Sequence, residues 1–89
     1  GIGNPQPLFL MRRLPLRGVQ SLKEKHLKLL IGVEKTVIEA LWWNAVEHQS
    51  ALSAAKDAGQ SISLLCRLEI NSWNNRETCQ LKIVDAAVE

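Results

Sequence analysis

The side chains of this 89-residue chain that could do covalent chemistry are few and far apart. Its aspartates are Asp57 and Asp85, its histidines His26 and His48, and its cysteines Cys66 and Cys79. Hydrolysis assisted by a metal needs carboxylates and imidazoles converging on one ion, and nucleophilic catalysis needs a nucleophile beside a base. The spacing here suggests neither, which disfavours an independent enzyme.

Cations placed near flat rings offer a different chemistry. Lys23, Lys25, His26 and Lys28 crowd into one short stretch, Trp42 and Trp43 are adjacent, and Trp73 precedes Arg76 by three residues. Positive groups track phosphates, and aromatic faces stack on bases for roughly 1–3 kcal/mol each, so this pairing suits a single nucleic-acid strand bound without regard to sequence. Charge is unevenly spread. Residues 1–35 hold seven Lys and Arg against Glu24 and Glu34, a balance of +5, while the remainder comes to −3. A basic half of a small domain attracts polyanions even when the net charge is only +2.

The elements that must position these groups follow from periodicity. Residues 1–8, rich in Gly, Pro and Asn, read as a linker entering a domain that spans 9–89. Phe9–Val19 is mostly extended, with Pro15 interrupting the ladder as at an edge or bulge. A polar loop at 21–25 leads to a strand at His26–Ile31, with His26 and Lys28 on one face and Leu27, Leu29 and Ile31 on the other. Gly32–Lys35 reads as a turn and Thr36–Asn44 as a third strand. Trp42 and Trp43 then point to opposite faces, Trp42 inward with Ile38 and Ala40, Trp43 outward beside Glu39 and Leu41. The period changes at 47, where "EHQSALSAAKDAG" predicts a short helix stopped by Gly59.

From Ser61 the alternation returns, with Ile62, Leu64, Cys66, Leu68 and Ile70 sharing one face. Asn74-Asn75 tolerates the positive φ of a tight hairpin turn, so Trp73 opposes Arg76. The same register sets 70 against 79, 68 against 81 and 66 against 83, matching apolar residue to apolar residue. It also separates Cys66 from Cys79 and places Arg67 opposite Lys82. With neither a disulfide framework nor zinc spacing, a reducing cytoplasm is expected. No apolar stretch reaches the ~20 residues needed to span a bilayer, so no membrane partner is expected. The start at Gly-Ile-Gly-Asn, with Met11 the one methionine, suggests a fragment of a longer protein.

Three strands, a helix and two strands make an all-β chain with one short helix, the layout of a five-stranded Greek-key OB barrel with its helix between strands three and four. Several stretches in order, "GIGNPQPLF" at 1–9, "KEKHLKLLI" at 23–31, "IEALWWN" at 38–44 and "CRLEINSWNNRETCQLKIVD" at 66–85, resemble the C-terminal OB domain of RecJ, the bacterial 5′-to-3′ single-strand-specific DNA exonucleases of repair and recombination. The turn at Asn74-Asn75, where that family more often has Asn-Gly, and the segment 45–60 depart from the pattern. The resemblance implies that hydrolysis belongs to separate domains whose Asp and His residues hold Mn²⁺ or Mg²⁺, so this chain is expected to carry no cofactor and no catalytic residue. It also implies single-stranded DNA, the rest of a RecJ-like chain and a single-strand-binding protein as partners.

The candidate nucleic-acid-binding residues are Lys23, Lys25, His26, Lys28, Trp43, Arg67, Trp73, Arg76 and Lys82. Each has a plainer role open to it: solvated lysines, a packing histidine, a Trp43 lodged under the helix or against a neighbouring domain. Glu69 could neutralise Arg67 or Lys82 where a bound phosphate otherwise would, and Trp73 could cover a barrel end instead of stacking on a base. The competing function is a structural or docking module that packs on the catalytic domains or receives the single-strand-binding protein.

Overall fold

Alternation between water and core is what closes this chain on itself. The computed structural model describes residues 7–89, and of Asn71 and Trp73 only the backbone. Residues 1–6 of the expected linker lie outside the described residues. Strands β1 (Leu8–Leu22), β2 (His26–Val33) and β3 (Thr36–Trp42) are followed by a 3₁₀ turn (Val46–His48), helix α1 (Gln49–Asp57), and strands β4 (Ser61–Trp73) and β5 (Arg76–Val88). They form a closed barrel in the order β1-β2-β3-β5-β4, the five-stranded architecture with one short helix that the element order predicts.

The core is filled by every second residue of the strands. Leu27, Leu29 and Ile31 of β2 and Ile62, Leu64 and Cys66 of β4 are all fully buried, joined by Ala40 and Trp42 of β3 and Ile83 of β5. β1 closes the barrel by serving two neighbours. Its first half pairs with β4 and its second half with β2, and the register slips between Met11 and Leu14 and again between Leu16 and Gly18. Arg13 takes a φ of +56° inside the first slip, and Pro15, which has no N–H to give, falls between the two. A Cβ at Gly18 would lie 2.9 Å from Leu30 Cδ1, so at the second bulge β1 leaves no room for a side chain beside β2.

β3 and β5 complete the barrel through a short parallel pairing, Ala40 with Leu81 and Leu41 with Lys82. α1 turns Leu52 and Ala55 into the core. It ends in a Schellman motif: the Gly59 N–H donates to the Lys56 carbonyl and the Gln60 N–H to the Ala55 carbonyl, with Gly59 at φ +71°. No helix among the described residues is long and apolar enough to cross a membrane.

The β4–β5 register is the expected one, with Trp73 opposite Arg76, Ile70 opposite Cys79 and Cys66 opposite Ile83. Asn74 and Asn75 both take positive φ, 50° and 62°. Four local expectations are corrected. The turn after β2 is Glu34-Lys35, with Glu34 at φ +54°, while Gly32 stays in the strand. β3 stops at Trp42, so Trp43 and Asn44 form a turn instead of ending the strand. The hairpin register slips between Leu65 and Cys66, which realigns the residues beyond Ile83. Finally, Ile70 is 56% exposed and Cys79 is exposed, because the hairpin runs past the barrel rim and its inner face has no interior left to meet.

Candidate nucleic-acid interface

Two structural units carry Lys23, Lys25, His26, Trp43, Lys28, Lys82 and Arg67: the end of the barrel where β2 begins and β3 ends, and the outward face of four adjacent strands. At the barrel end, the turn Lys23-Glu24-Lys25 is tied to the segment after β3 by a hydrogen bond from the Val46 N–H to the Lys25 carbonyl, 3.1 Å. Lys23 and Glu24 adopt positive φ, 52° and 57°. Among the described residues no carboxylate pairs with Lys23 or Lys25. Beside them the His26 and Trp43 rings meet edge to face, centroids 4.5 Å apart with planes at 75°. Trp43 stays 48% exposed. Trp42, buried, stacks flat on His48 with planes 2° apart.

His26 also accepts a hydrogen bond at Nδ1 from the Asn44 N–H, 2.9 Å. An accepting Nδ1 carries no proton, so the neutral ring bears its hydrogen on Nε2.

The outward face is built by register. Lys28 sits beside Leu41, Leu41 beside Lys82 and Lys82 beside Arg67. With neighbouring strands about 4.8 Å apart, this row crosses β2, β3, β5 and β4 over about 14 Å. Leu41 interrupts the cations, and an acidic row runs alongside. Lys28 Nζ lies 3.7 Å from Glu39 and Lys82 Nζ lies 3.4 Å from Glu69. Arg67 is not free either. The carboxylate of Glu69 thus offsets Lys82 where that residue opposes Arg67.

The predicted residues therefore separate into places. Lys23, Lys25, His26 and Trp43 share the barrel end, and Lys28, Lys82 and Arg67 continue from it along the strand face. Arg76 is exposed at the hairpin tip, six residues along β5 from Lys82, which at about 3.3 Å per residue puts it about 20 Å away. The side chain of Trp73 lies outside the described residues. Elsewhere, Arg12 is held by Glu89 at 2.7 Å, and the Arg13 N–H donates to the same carboxylate. The Arg12 guanidinium and the Arg13 N–H hold the Glu89 carboxyl below its ordinary range. Among the described residues no three His, Cys, Asp or Glu side chains come together to hold a metal ion.

Known proteins identify the barrel. The chain matches the RecJ OB domain over residues 1–85. It belongs to that family. The single-stranded-DNA-specific exonuclease RecJ of Bacillus subtilis (strain 168) is 33% identical over 90 residues, a match that covers 99% of this chain and 11% of that relative. The chain thus spans about a tenth of the length of the curated relative it matches.

In this RecJ OB domain the residues that sequence reasoning missed are partners of those it found. Asn44 supplies the N–H that His26 accepts, Glu39 neutralises Lys28, and His48 covers Trp42. One of them left a signal: Asn44, at φ +55°, uses the same tolerance of positive φ that marks Asn74-Asn75.

Proposed function

We propose that this RecJ OB domain grips single-stranded DNA for a larger exonuclease and takes no part in bond cleavage itself. The observation that carries this reading is the meeting, at one barrel end, of a half-exposed indole, Trp43, with Lys23 and Lys25, which have no carboxylate partner among the described residues. A base stacks on the indole while the loop ammonium groups neutralise the neighbouring phosphates. The strand face, where Lys28 and Lys82 already have Glu39 and Glu69, adds a weaker continuation of the path. In a RecJ-like chain the Mn²⁺ or Mg²⁺ that hydrolysis requires would be held by other domains.

A salt titration tests the reading. Fluorescence anisotropy of a labelled oligonucleotide should report binding at low salt that weakens steeply as salt rises. No binding at low salt would overturn it. That result would favour a docking role, to which one feature lends support. A groove of 710 Å³ opens where β3 and β5 diverge, lined by Met11, Val37, Ile38, Leu68, Cys79 and Leu81 among others, and it is mostly apolar. The partner there would be another domain of a RecJ-like chain or a single-strand-binding protein.

A further inference from the structure

We infer that His26 is a positioning residue for Trp43, and that it serves the strand by holding the indole in place and not by touching DNA. The inference rests on the reading of Trp43 as the stacking platform. Trp43 lies beyond the end of β3, so no ladder hydrogen bond fixes its turn. The next residue, Asn44, takes a φ of +55°, which asparagine tolerates better than most side chains, so the turn is open to it and what fixes it there is the partner of its N–H. His26 holds it twice. Its Nδ1 accepts the Asn44 N–H at 2.9 Å, and its ring meets the Trp43 ring edge to face at 4.5 Å.

His26 can do this because it is anchored on both sides. Leu22 pairs with it across the β1–β2 ladder, and Leu27, the next residue, is fully buried opposite Trp42. The backbone of the lysine loop is joined to the same unit, since the Lys25 carbonyl accepts the Val46 N–H. The ring that stacks on a base and the loop that meets its phosphate are therefore set by one small network with His26 at its centre. Preorganising an indole in this way lowers the ordering cost of binding without adding a contact.

The experiment is a mutant cycle on the 89-residue chain, read by anisotropy of a labelled oligonucleotide at low salt and by hydrogen exchange of the Asn44 amide. Trp43→Ala should weaken binding at least about fivefold. His26→Ala should weaken it to a similar extent and expose the Asn44 amide to exchange. The double variant should bind no worse than Trp43→Ala alone, because His26 acts through Trp43. His26→Asn should recover the amide protection and part of the affinity, since its Oδ1 stands two bonds from Cβ, as Nδ1 does, and accepts the same N–H, while the ring contact with Trp43 stays lost.

Losses that multiply in the double variant would show a direct contact of His26 with DNA and overturn the inference. So would a His26→Ala chain that binds like wild type, or a His26→Asn chain no better than His26→Ala. Failure of the underlying reading looks different. Wild type then does not bind at low salt, or Trp43→Ala binds as wild type does, and the positioning role falls with it.

Discussion

Cys66 and Cys79 share one hairpin and differ in what governs thiol reactivity. Cys66 is fully buried with its Sγ 3.7 Å from Met11 Sδ, and burial pushes its thiol up, away from the reactive thiolate. Cys79 is free and exposed on the part of the hairpin that overruns the barrel. Mild alkylation of the native chain followed by mass spectrometry should therefore modify Cys79 alone, with Cys66 reacting only after denaturant is added. Glu89 titrates with the opposite sign. Its carboxyl is held low by Arg12 and the Arg13 N–H, so its contribution to stability is present above the ordinary glutamate value of about 4.3 and is lost as pH falls through its lower folded value. Glu89→Gln should flatten the decline of the thermal midpoint between about pH 5 and pH 3 relative to wild type. Equal slopes for the two chains would show that this carboxylate does not couple to folding.

At the scale of elements, the pairing of β2 with β3 joins a cation to an acid. Lys28 is partly buried and lies 3.7 Å from the exposed Glu39, close enough to water that the attraction is modest. If Lys28 lies on the path of the strand, Glu39→Gln should free it and raise oligonucleotide affinity, by up to about fivefold. Unchanged affinity would confine the path to the barrel end. This is also the scale at which the sequence was most and least legible. The β4–β5 register could be read because two independent constraints, apolar alternation and a two-residue turn of positive φ, demand the same pairing. Alternation reports a face and not a depth, so it could not reveal that Ile70 and Cys79 stand beyond the rim. The turn expected over Gly32–Lys35 narrows to Glu34-Lys35, because Gly32 and Val33 still pair with β3. The His26–Asn44 bond joins residues 18 apart and leaves no local pattern, so the outward direction of His26 was legible and its partner was not.

Over the whole molecule, net charge and its arrangement make different predictions. A net charge of +2 is too small to pull in a polyanion from every side, but the +5 balance of residues 1–35 includes the loop that carries Lys23 and Lys25. Binding should then depend on a small number of counterions released at one end of the barrel. For single strands the slope of log affinity against log salt is about −0.7 per phosphate neutralised, so Lys23→Gln with Lys25→Gln should reduce its magnitude by about 1.4. The tip is the natural control. Arg76 is about 20 Å along β5 from the Lys82 row, too far for a very short oligonucleotide seated at Trp43 to reach. Arg76→Gln should leave the slope for such an oligonucleotide unchanged and lower it by about 0.7 only once the strand is long enough to span that distance. A slope that responds to Arg76 at every length, and never to the loop lysines, would move the entry of the strand from the Trp43 end to the hairpin tip.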